Sequence, residues 1–145
     1  MLLTLLGCAN GYRAQDSVRV GVSDAEWSAT QLDEIREELA TLSRTYGVTF
    51  ELSDDAVADV HLHNNPGLSA AFDGWHQDNS DDVQVNATHP AMSNPIKFRS
   101  VVGHEISHWL GMVHVTGAGH MMSNSASNDV PTAADLAEFH RATGR

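Results

Sequence analysis

The sequence predicts an α+β domain of about five strands and three helices, and three observations carry that prediction. Val18, Val20 and Val22 alternate with Arg19 and Gly21, the period-two pattern of a strand with one buried face. Leu32, Ile35, Leu39, Leu42 and Tyr46 recur at helical spacing, with a capping serine before them and Gly47 after. Beyond these, short β-branched runs alternate with Asn, Asp, Gly and Pro turns until a second helical stripe begins after Asn94. A chain of 145 residues with 41% hydrophobic content can bury one sizeable core. Residues 17–145 are therefore read as one domain, preceded by a short segment, 1–16.

Taken in order, the chain opens on Leu5-Leu6-Gly7-Cys8, which resembles the lipobox of a bacterial lipoprotein signal. The resemblance implies cleavage before Cys8, a lipid on its thiol, and an exported, secreted or cell-envelope protein whose membrane contact is that anchor alone. Cys8 is the only cysteine, so no intramolecular disulfide is expected. The first strand follows from Ser17. Ser28 and Gln31 form a capping box for the first helix, with Trp27 and Leu32 placed as a hydrophobic staple. Asp33, Glu34, Glu37 and Glu38 are assigned to its solvated face. Residues 48–52 and 58–63 read as the second and third strands, separated by a turn at Ser53-Asp54-Asp55.

His61 and His63 share one face of the third strand and are read as ordinary strand residues, and His76 and His89 as loop histidines. Residues 83–86 are expected to form a further short strand. The polar loop from Asp73 to Asp82 is rich enough in oxygen to suggest a structural calcium ion, although it lacks the regular spacing of a calcium loop. Asn94 and Pro95 open the central helix as N-cap and first helical residue. Its buried stripe is Phe98, Val102, Ile106 and Trp109 or Leu110. Gly103 stands inside that helix, where glycine costs about 1 kcal/mol relative to alanine. Thr132 and Asp135 form a capping box for a last helix with Leu136 and Phe139 turned inward.

Nineteen acidic residues against eight basic give a net charge of -11, which repels phosphate backbones and anionic lipid. Nucleic acid is therefore excluded as a partner. The chemistry sits in His104-Glu105-Ile106-Ser107-His108-Trp109-Leu110-Gly111-Met112-Val113-His114, which spells H-E-x-x-H-x-x-G-x-x-H. At 3.6 residues per turn His104 and His108 project from one helix face, so each can offer a ring nitrogen to one metal ion. Glu105 lies beside them, placed to hold a water that the metal polarises. Gly111 accepts the positive φ needed to stop the helix and bring His114 round from another direction. Three imidazoles leave the fourth zinc position open, the arrangement of a catalytic site.

This string resembles the metzincin signature. Met122, in Gly119-His120-Met121-Met122-Ser123, stands where the family's methionine turn belongs, at a spacing similar to the matrixin branch. The resemblance implies a zincin-like fold with a twisted mixed sheet, one catalytic Zn2+ on His104, His108 and His114, and Glu105 as general base of an endopeptidase acting on proteins or peptides. It also implies a substrate-binding edge strand over Leu68, Ser69, Ala70, Ala71 and Phe72 and a specificity pocket walled by residues 124–130; a monomer is expected. Val115 departs from the serine that matrixins carry after the third histidine, and no tyrosine follows Met122, so the branch stays open. Two other readings share the motif: a non-catalytic zinc-binding member of the fold acting as a binding protein, and a zinc hydrolase of non-peptide amides.

Overall fold

In a computed structural model, which describes residues 15–69 and 73–145, the chain forms a mixed five-stranded sheet and three helices. Cys8 and the lipobox expectation lie outside the described residues. Strands β1 (Ser17–Val22), β2 (Thr49–Asp54), β3 (Val60–Asn64), β4 (Gly74–His76) and β5 (Asp82–Val85) stand in the order β2-β1-β3-β5-β4. Four run parallel, with Val18 opposite Phe50, Val20 opposite Val60, and Leu62 opposite Val83. Only β4 is antiparallel, pairing Trp75 with Gln84 at the sheet's edge.

Helix α1 (Ala29–Tyr46) provides the crossover from β1 to β2 that a parallel pair requires. Its capping box closes in both directions, Gln31 N donating to Ser28 Oγ and Ser28 N to Gln31 Oε1, and Gly47 ends it at φ 66°. The expected stripe is inside: Ile35, Leu39, Leu42 and Tyr46 are buried. Helix α2 (Pro95–Trp109) packs against α1, β4 and β5. Asn94 caps it by accepting from Ile96 N and Lys97 N. Trp109, Ile106, Val102 and Phe98 are buried, and Trp27, expected as a staple, lies across Phe98 with ring centroids 6.1 Å apart. Helix α3 (Ala133–Thr143) sets Phe139 flat on Tyr46 of α1, the rings 4.4 Å apart.

Four expectations need correction. Ser53 and Asp54 belong to β2, whose end is followed by one turn of 3-10 helix over Asp55–Val57. The edge strand does not begin at Leu68. Leu68 and Ser69 are in a loop, Ala70, Ala71 and Phe72 fall outside the described residues, and the strand is Gly74–His76. Asp73-Gly74 reads locally as a turn, and β4 is held by its pairing with β5 instead of by any alternation of its own. Glu34 is not simply solvated, since it pairs with Arg99 of α2. Glu38 is not solvated at all: it is fully buried against α2 with both carboxylate oxygens unpartnered.

That burial explains Gly103. A Cβ at position 103 would lie 3.0 Å from Glu38 Cδ, 2.9 Å from Met121 Sδ and inside the contact distance of Glu38 Oε1. The two helices approach through the space that a side chain would fill.

Candidate metal centre

The metal-binding motif occupies the last two turns of α2 and the bend beyond it. Leu110 N donates to Ile106 O, Gly111 N to His108 O and Met112 N to Ser107 O, which closes the helix end. Gly111 then takes φ 90°, a left-handed value that disfavours any side chain, and turns the chain toward His114. Sequence spacing alone therefore located the ligand helix, its stop and its exit.

The structure brings His104, His108 and His114 together. Their Nε2 atoms form a triangle with sides of 3.0 Å (104 to 108), 3.2 Å (104 to 114) and 3.2 Å (108 to 114). Two tautomers are set by backbone acceptors: His104 Nδ1 donates to Met121 O at 2.8 Å, and His108 Nδ1 to Met112 O at 2.9 Å. In the neutral ring the Nε2 lone pairs of both then face His114 and each other. Such a convergence of lone pairs is repulsive unless a cation lies among them. A circle through three points so spaced has a radius of about 1.8 Å, close to the usual ~2.0–2.1 Å metal–nitrogen bond, so the spacing would suit one ion shared by all three. The donor set fits a metal ion, and the group could hold one. Among the described residues no other set of three His, Cys, Asp or Glu side chains converges in this way.

The electrostatics agree with a site built for neutral imidazoles. Burial, together with repulsion from His108 and His114, pushes the His104 pKa down to about 4 against the pull of the Met121 carbonyl. Burial also lowers that of His108. Glu105 moves the other way. Burial first, then the nearby Asp73 carboxylate, raises its pKa to about 8, so without a cation it is protonated at neutral pH. A Cβ on Gly74 would sit 2.6 Å from Glu105 Cγ, which places the glutamate against the first residue of β4.

Met122 is fully buried in the turn that follows the motif in the sequence. Its carbonyl accepts from Val115 N at 2.8 Å, and Ser123 N closes the turn on His120 O. Sequence reasoning missed what holds that turn. The Asp135 carboxylate, with no exposed surface, accepts from Met121 N (3.0 Å), Met122 N (2.9 Å), Thr132 N (2.7 Å) and Thr132 Oγ1 (2.8 Å). The capping box at Thr132 and Asp135 was legible; its second duty as clamp of the methionine turn was not. Through Met121 O the clamp reaches His104, so α3 braces one imidazole of the triad.

A second brace comes through α1. Ser107 Oγ donates to Gly103 O at 2.7 Å, leaving Tyr46 O–H to donate to Ser107 Oγ at 3.2 Å. Beside the triad, residues 114–118 and 123–125 line a cleft of about 390 Å3.

None of the other sequence-predicted positions joins the triad. His61 Nδ1 lies 2.6 Å from Asp55, and His63 lies between Glu26 and Asp82. In the loop expected to suit calcium, Asp73 pairs with Lys97 and Asp82 with Ser80, and the carboxylates do not converge on a common point. No protein-family model matches this chain, and no curated protein sequence does.

Proposed function

We propose that this protein is a zinc-dependent endopeptidase of metzincin type, with His104, His108 and His114 holding the ion and Glu105 as the proton carrier. The observation that carries the reading is the convergence of three Nε2 atoms beside a buried carboxyl that abuts a sheet edge. Three imidazoles leave room for water and substrate on the ion, the catalytic form of a zinc site. Zinc bound there supplies acidified water, with a pKa of about 7, and polarises a carbonyl.

The chain's own residues do the rest. The Met121 and Met112 carbonyls hold two imidazoles in the tautomer that presents Nε2. Glu105 is protonated in the empty site, and the positive charge of an ion beside it favours its ionised form. It becomes a base only when the site is loaded. Glu105 then takes a proton from the attacking water and passes it to the amine that leaves as the C–N bond breaks. Among the described residues β4 is the last strand of the sheet, and an extended peptide substrate can be aligned with it. Gly74 brings that strand close to Glu105, with no side chain between them.

The test is cleavage of casein and of a broad peptide library by the purified, zinc-loaded protein, with and without a chelator. Chelator-sensitive proteolysis, lost in Glu105→Gln with zinc still bound, is expected. Zinc binding without any cleavage points instead to a binding protein that keeps the fold, and cleavage retained in Glu105→Gln removes the glutamate from the mechanism.

A further inference from the structure

We propose that Lys97 is a positioning residue that ties together two rims on different segments, the wall of the cleft and the start of β4, so that its loss weakens peptide binding while leaving the histidine triad intact. Its expected effect on substrate rests on the peptidase reading above. Lys97 stands in the first turn of α2, and its ammonium has three donors. Three oxygens meet it: Ser125 O at 3.2 Å, Ala126 O at 3.1 Å and Asp73 Oδ2 at 2.7 Å. The donors are used up, and they go to two distant segments.

The first segment is the wall of the pocket. Ser125 lines the cleft beside His114, and Ala126 follows it at φ 30°, a backbone value that a residue with a side chain rarely adopts. Such a conformation persists only where its surroundings over-determine it. Here the Ala126 carbonyl takes Ser100 Oγ at 2.7 Å as well as Lys97 Nζ, and Ala126 N reaches back to Ser123 O. The second segment is the other rim. Asp73 immediately precedes Gly74, which abuts Glu105, and its own carbonyl accepts from Asn86 N at the end of β5. Lys97 thus fixes the pocket wall and the start of β4 from one point on the ligand helix.

A partly exposed lysine–carboxylate pair contributes little to stability by itself. Its effect is expected in geometry. A peptide that lies along β4 and drops a side chain into the pocket must satisfy both rims at once, and misplacement far from the reacting atoms still weakens binding.

The experiment uses the full zinc-loaded chain with Lys97→Met, which keeps the apolar stem, Lys97→Arg, which keeps donors, and Asp73→Asn, which loosens one rim alone. KM and kcat are measured on peptides extending both sides of the cleaved bond, zinc affinity by titration, and amide hydrogen exchange at residues 73–75 and 123–126. Lys97→Met is expected to raise KM on the order of tenfold with kcat changed less than about threefold. Zinc affinity should stay within about twofold of wild type, since no triad contact is removed. Exchange should rise on both rims, and Lys97→Arg should recover most of the loss. Unchanged KM, or zinc affinity falling in step with KM, overturns the proposal, as does exchange rising on one rim only. If Lys97→Met does not fold, Asp73→Asn decides: higher KM and faster exchange at 123–126 support the link, and no change at 123–126 refutes it. If wild type cleaves nothing, the peptidase reading fails, while the exchange arm still decides whether Lys97 couples the rims.

Discussion

Gly103→Ala sets two opposing effects against each other, and the structure says which wins. Alanine in a helix interior is favoured over glycine by about 1 kcal/mol. Against that, the new Cβ would lie 3.0 Å from Glu38 Cδ and 2.9 Å from Met121 Sδ, with Glu38 Oε1 nearer still. Comfortable separations are about 3.5–4.0 Å, so both groups must retreat by roughly half an ångström or more. Glu38 has no exposed surface to retreat into, and Met121 is tethered through Asp135 and His104. Overpacking of this kind costs about 1–3 kcal/mol, so the net change is destabilisation of about 1 kcal/mol. Glu38→Ala removes the nearest obstruction, and in that background the same substitution should stabilise by several tenths of a kcal/mol or more. The coupling read from a double-mutant cycle is then about 2 kcal/mol. Urea unfolding of the four proteins in chelator measures it. Stabilisation of the otherwise wild-type chain by Gly103→Ala, or simple additivity of the two changes, would refute the steric account.

Three further outcomes are expected. Glu105→Gln should retain zinc within about threefold and lose at least about 10³-fold in kcat/KM, as expected for removal of a proton carrier whose neighbours still hold the ion; titration with zinc and peptide hydrolysis on one sample separate the two. Asp135→Asn leaves buried N–H donors of Met121, Met122 and Thr132 without a full set of acceptors, at about 1–3 kcal/mol each. Zinc affinity should fall about 10–100-fold with it, because His104 is oriented by the same turn. The pH dependence of Glu38 has a definite sign. Burial and the Asp129 carboxylate raise its pKa well above the 4.5 of a free carboxyl, so its neutral form is the folded one. The stability it allows is complete below about pH 4.5 and is lost as pH climbs toward the raised value. Glu38→Gln should therefore gain on wild type progressively as pH rises above about 4.5 in chelated urea melts, and parallel pH curves would contradict the assignment.

Much of the centre was legible because its determinants are local. The spacing of His104, His108 and His114, the glycine exit and the Asn94-Pro95 start each depend on a few neighbouring residues. All take the expected backbone form. The capping boxes at Ser28 and Thr132 were readable for the same reason. What escaped depends on partners far along the chain. Glu38 is the exception: it stands three residues after Ile35 and four before Leu42, on the buried stripe itself, and only its charge points to the solvated face. Strand β4 has three residues and no alternation, so its place follows from β5. Asp135 looks like a capping residue from its neighbours alone, and its hold on Met121 and Met122 appears only once α3 is docked.

This division between near ligands and far supports bears on when the site can form. All three imidazoles of the triad have left the ribosome once residue 114 has emerged, and the carbonyl that orients His104 follows seven residues later. The carboxylate that pins that carbonyl's turn comes from residue 135, and the aromatic ring that seats α3 on α1 from residue 139. A nascent chain halted just past the motif thus carries the three imidazoles with only His108 oriented, by Met112 O. Tight loading with metal would report that synthesis has reached the last helix, and premature capture of stray ions by an unfinished chain would be weak.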